Sequence, residues 1–176
     1  MKVLAIDPGT KKSAMIIVDS KTLLPMFMWL ESNEFILELL SNHCFNDDYD
    51  LAAIEMLQSY GTLIGKDVLF TAVWIGRFYE AIRMTTDYTV KPALVYRQEE
   101  KLHICKTTRA GDPQIRRALI DRFCTHDFRS GRGTKDNPDF FYGFKADIWA
   151  SYAVALTYIE TKMRKEQNES KTIYVQ

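Results

Sequence analysis

Three acidic residues stand where an apolar segment ends or begins. Asp7 closes the run Val3-Leu4-Ala5-Ile6, Glu55 closes Leu51-Ala52-Ala53-Ile54, and Asp147 opens a stretch with helical apolar spacing. A short continuous apolar run reads as a strand buried on both faces. In an open α/β sheet, side chains at the carboxyl ends of such strands converge on one crevice. Carboxylates gathered there repel, so a proton or a cation must accompany them. Oxygen-only donors select Mg²⁺, or Mn²⁺ as its substitute, over zinc. Three carboxylates around two such ions can activate a water and stabilise the leaving oxygen of a phosphodiester. Each residue also fits a plainer role: Asp7 in a turn before Pro8-Gly9, Glu55 as a strand-end charge, Asp147 as a helix-start charge. The combination is what points to a site.

The elements that must position these acids follow from the apolar pattern. Residues 2–7 predict a buried strand ending in the turn Asp7-Pro8-Gly9-Thr10, residues 13–18 a second, and 24–30 a third, together a meander. Ser32 caps a helix running to about residue 42. An acidic loop, 46–50, leads into a strand over 51–55. Gly61 and Gly65 bracket the approach to a long helix, 66–84, with too many apolar residues for a single stripe. A strand over 88–95, helices over 97–104 and 113–123, a Gly-, Asp- and Asn-rich loop over 125–139 and a last helix over 145–165 complete the series. This order predicts an α/β fold: one domain over 1–165, a mixed sheet with helices on both faces, and a polar, frayed tail over 166–176.

The totals fit that reading. A chain of 176 residues suits one well-buried domain. No apolar run approaches the roughly 20 residues needed to span a bilayer, and Met1 leads straight into a strand-like run without a signal-peptide pattern. Cys44, Cys105 and Cys124 share no disulfide or metal spacing, and His43, His103 and His126 are equally scattered, which argues against zinc and for a reducing, cytoplasmic setting. Lys plus Arg equal Asp plus Glu at 23 each, an unusual balance for a polyanion-binding protein. The balance hides a segregation. Residues 97–135 carry ten cations against five acids, while 31–55 contain acids and no Lys or Arg. Solvated faces of opposite sign would look the same.

Ile6-Asp7-Pro8-Gly9-Thr10, then Ala53-Ile54-Glu55, then Ala146-Asp147 followed by Ala153-Val154-Ala155-Leu156-Thr157 resemble the three catalytic blocks of RuvC-type Holliday junction resolvases, in order and spacing, over roughly residues 1–160. The first block alone is weakly specific, because actin-like ATPases and sugar kinases share Asp-x-Gly-Thr. Residues 54–61 and Trp74-Ile75-Gly76-Arg77-Phe78 are most similar to the phage-encoded branch, which would place the protein in the cytoplasm of a bacterial host. The resemblance implies a ribonuclease H-like fold and a Mg²⁺-dependent endonuclease that cuts four-way DNA junctions, with Asp7, Glu55 and Asp147 catalytic and holding two ions. The family usually carries a fourth acid one helical turn after the third, and here that position is Ala150. A three-acid site, replacement by Asp136 or Asp139, or an inactivating substitution would each account for it.

The resemblance also sets expectations for DNA. Lys101, Lys106 and Arg109 are first choices for phosphate contacts, which position a duplex without reading its sequence. Lys145 is placed to steady the scissile phosphate or a metal-bound water, and Tyr60 corresponds to an aromatic that stacks on bases at a branch point. A four-way junction has two-fold symmetry, so a C2 homodimer fits it, with Phe70, Trp74 and Phe78 of the 66–84 helix as the expected interface. Competing readings are an RNA-processing nuclease of the same fold, a catalytically silent junction-binding protein, and a nucleotide-binding domain of the actin and sugar-kinase type. The last needs two such domains, and only one copy of the motif is present.

Overall fold

The computed structural model describes residues 1–42, 48–58, 61 and 65–163. Its elements are β1 (Lys2–Asp7), β2 (Lys12–Asp19), β3 (Pro25–Ser32), α1 (Asn33–Leu40), β4 (Leu51–Met56), α2 (Lys66–Thr85), β5 (Ala93–Tyr96), α3 (Arg97–Cys105), α4 (Asp112–Phe123) and α5 (Ile148–Thr157). A π-helical segment, Tyr158–Met163, continues α5. Five strands form one mixed sheet in the order β3-β2-β1-β4-β5. The meander β1-β2-β3 pairs antiparallel, while β1-β4 and β4-β5 are parallel.

Alternation along the central strands divides the core into two layers. Leu4, Ile6, Met15, Ile17 and Ile54 face α1 and α2, where Ile36, Leu40, Trp74, Ile75, Phe78 and Ile82 cover them. Val3, Ala5, Ala14, Ile16 and Ala53 face the opposite way, onto α5. Of the ten residues of α5, all but Ala150 are buried, because α5 is pressed between the sheet on one side and α3 and α4 on the other. The apolar surface around such a helix is continuous instead of striped.

Three expectations from sequence are revised. The strand expected over 88–95 shortens to Ala93–Tyr96. Asp87 and Tyr88 turn the chain at φ 47° and 61°, and Pro92 has no N–H to donate to a ladder. The loop expected over 125–139 is organised by two carboxylates. Asp139 accepts from the backbone N–H groups of Thr125, His126, Asp127 and Phe140, and Asp127 from those of Arg129, Ser130, Arg132 and Gly133. Phe140, Phe141 and Phe144 then bind it to Phe123, Trp149 and Tyr152 in an aromatic cluster. The last helix was expected over 145–165; it starts at Ile148, and the tail beyond Met163 lies outside the described residues. None of the helices among the described residues is long and apolar enough to cross a membrane.

Candidate active site

The strand alternation that builds the core also aims the acids. Asp7 follows Val3 and Ala5 on the α5 side of β1, and Glu55 follows Ala53 on the same side of β4. The parallel register pairs Ile6 with Ile54, so one step further on Asp7 and Glu55 emerge side by side at the strand ends. The turn after Asp7 is locked. A Cβ at Gly9 would lie 2.3 Å from the carbonyl oxygen of Lys12, so only glycine fits there. The Gly9 N–H donates to Ser13 Oγ (3.2 Å), Ser13 Oγ donates to buried Asn33 Oδ1 (2.6 Å), and Asn33 Nδ2 donates back to the Gly9 carbonyl (3.0 Å). A rigid turn of this kind holds Asp7 to one position.

Electrostatics confirm the crowding. The Asp7 carboxyl lies well above its usual range, first because it is desolvated, then because Glu55 repels it and shares a hydrogen bond with it; Asp147 and Glu100 add repulsion. A pair that keeps a proton in this way would exchange it for a cation. Asp147 caps α5 from the facing side, exposed, just after Ala146 has turned the chain at φ 37°. Oxygen-only donors of this type suit Mg²⁺ or Mn²⁺. Among the described residues, however, no three acidic, His or Cys side chains are already closed into a metal cluster. Asp7 and Glu55 stand together, and Asp147 is near enough to add to the charge on Asp7.

Two further charged residues were not singled out from sequence. β5 ends beside Glu55, since Glu55 pairs with Val95, and α3 begins at once with Arg97. One turn on, Glu100 is fully buried. Its Oε2 accepts from Arg97 Nη1 at 2.5 Å, and its Oε1 has no hydrogen-bond partner. Burial and the nearby Glu55 push the Glu100 carboxyl up to about 9. Opposite charges at i and i+3 on a helix read as a solvated surface pair, which is why the sequence did not flag them.

The remaining expected residues are distributed unevenly. Lys101 joins Asp7, Glu55 and Arg97 around a cavity of about 210 Å³. Asp147 borders a cavity of about 440 Å³ that Arg116, Arg117 and Arg129 also line. Arg109 lies on a separate cavity of about 500 Å³ with Cys105 and Gln114. Lys106 caps α3 and donates to the His103 carbonyl. Lys145 is exposed one turn before α5, and Tyr60 lies outside the described residues. Asp139 cannot stand in for an acid at 150, because its oxygens are spent on the loop backbone; Asp136 is exposed on that same loop. For the expected dimer face, Phe70 is exposed, but Trp74 and Phe78 turn inward onto the sheet, a correction that follows from the side of α2 that covers β1 and β4.

No protein-family model matches the sequence, and comparison with curated proteins finds no relative. Solved structures do match in fold. The RuvC structure from Thermus thermophilus superposes with a TM-score of 0.63 at 14% identity, covering 93% of this chain and 96% of that one. T. thermophilus RuvC in complex with a Holliday junction substrate gives 0.61, also at 14% identity and with the same coverage. At this identity the likeness identifies the architecture: the chain has the ribonuclease H-like mixed sheet of RuvC.

Proposed function

We propose that this protein is a metal-dependent, structure-selective endonuclease of the phage-type RuvC branch that resolves four-way DNA junctions by phosphodiester hydrolysis. The observation that carries the proposal is the Asp7–Glu55 pair, two carboxylates held against one another at the strand ends by a rigid turn and a parallel register. No packing or capping need explains so costly a juxtaposition, whereas a hard cation does. Mg²⁺ bound there would supply an activated water and charge stabilisation for the leaving oxygen.

The protein's own residues divide the remaining work. Asp7 and Glu55 would hold the cation through their carboxylate oxygens, with Asp147 as the further acid at the start of α5. Lys101, on the same cavity, offsets the charge of an approaching phosphodiester, and Arg116 and Arg129 beside Asp147 extend the cationic track. Hydrolysis joins the water oxygen to phosphorus and breaks the bond to the sugar oxygen, which takes a proton as it leaves. A junction is the substrate favoured here because a fold of this kind has been solved on one, and because the apolar outer face of α2 allows the two-fold pairing that a junction demands.

The test is cleavage of a panel of four-way junction, RNA:DNA hybrid and structured RNA by the wild type and Asp7→Asn. Wild type should cut the junction preferentially in Mg²⁺, and Asp7→Asn should lose cleavage while still binding it. Preference for an RNA substrate would move the activity to RNA processing. Junction binding with no cleavage in Mg²⁺ or Mn²⁺ would mark a silent binding protein.

A further inference from the structure

The helix position one turn after Asp147 carries no carboxylate, and an arginine borders the room this leaves. Arg97, Asp147 and Ala150 line the same small cavity, about 60 Å³ in volume. Arg97 also lines the cavity of Asp7 and Glu55. Arg97 therefore borders both halves of the acidic site. We infer that Arg97 is the residue that grips the scissile phosphodiester, with one arm fixed on Glu100 and the other surrendering Asp112 for a phosphate oxygen. The inference rests on the nuclease reading above and adds a substrate-binding residue to it.

The two arms of Arg97 differ in the way this role requires. Nη1 donates to Glu100, whose side chain is 0% exposed; Nη2 donates to Asp112, whose side chain is 85% exposed. The first contact is a buried anchor that sets where the guanidinium sits. The second is a carboxylate at the solvent boundary, with the charge and the two-oxygen geometry of a phosphate. A guanidinium fork matches either anion in the same plane. Asp112 also borders the cavity of Arg116 and Arg129, so a strand lying along those cations would reach Arg97 at the place Asp112 now holds. Arg97 keeps its proton throughout and contributes fixed positive charge where negative charge develops at phosphorus.

Two variants test this. Arg97→Gln should lower single-turnover junction cleavage by about 10²–10³-fold, the usual loss for one preorganised donor, while Mn²⁺ binding measured by calorimetry persists. Asp112→Asn alters an exposed side chain, leaves the buried anchor intact and removes the competing anion. It should bind the junction severalfold more tightly in chelator, with its melting temperature little changed. Cleavage by folded Arg97→Gln at the wild-type rate would overturn the inference, and so would junction affinity of Asp112→Asn equal to or weaker than wild type. The parent reading fails separately. If Asp7→Asn still cleaves, the nuclease site itself is misplaced; if Asp7→Asn is inactive and Arg97→Gln is not, only the role of Arg97 falls.

Discussion

Asp7 is held in a way that works against folding. Its carboxyl is raised by burial and by Glu55, so the folded protein keeps a proton that the unfolded chain loses near a pKa of about 3.9. Stability from such a group is fully present below the unfolded pKa and is lost as pH rises through the folded one. Glu100, pushed up to about 9, acts in the same direction. Without metal, the melting temperature should therefore fall between about pH 5 and about pH 8, and the slope should flatten in Asp7→Asn. Calorimetry in chelator checks this, and a melting temperature that climbed over that range would refute it. At this scale the sequence was informative where an acid ends an apolar run, as Asp7 and Glu55 do. It was silent on Arg97 and Glu100, because burial of an i, i+3 pair depends on what lies across from the helix, and α5 is some fifty residues further along.

Helices and central strands were legible because their periodicity is a local property; what joins them was not. The aromatic cluster of Phe140, Phe141 and Phe144 obeys no helical or strand period, so the segment read as a plain polar loop. The π-helical turn after α5 was equally hidden. It delivers Glu160 to Arg122 of α4 (2.6 and 2.9 Å) and to His103 of α3 (2.7 Å), tying three helices at one carboxylate. Desolvation there is outweighed by the Arg122 and His103 hydrogen bonds, which bring Glu160 down to about 2. That contribution is present at neutral pH and is lost as pH falls from about 4.5 to about 2. Glu160→Gln should cost about 2 kcal/mol, the scale of hydrogen bonds to a charged group, and lower the melting temperature by about 4–8 °C in a domain of this size. Junction binding should be retained. A melting temperature within a degree or so of wild type would show that the helices are clamped by packing alone.

Across the whole molecule, the outer face of α2 is the apolar surface best suited to a second copy. Leu69, Phe70 and Val73 are exposed together on it, while Trp74 and Phe78 are committed to the interior. Sedimentation at micromolar concentration should show a dimer of the 20.4 kDa chain, and Phe70→Asp with Val73→Asp should return it to monomer without loss of fold. A monomer at all concentrations, with and without junction DNA, would remove α2 from that role. The sheet order has a different consequence, in time instead of space. β1, β2 and β3 are neighbours in sequence and meet through short turns, whereas β1 and β4 join residues as distant as Val3 and Leu51. Closing the longer loop comes later, and it is the same event that forces Asp7 against Glu55. The meander can thus form before Asp7 and Glu55 meet, and a divalent cation held between them would offset the repulsion that opposes the last pairing. For this chain, the ion that would serve the chemistry would also hasten the closing step of folding.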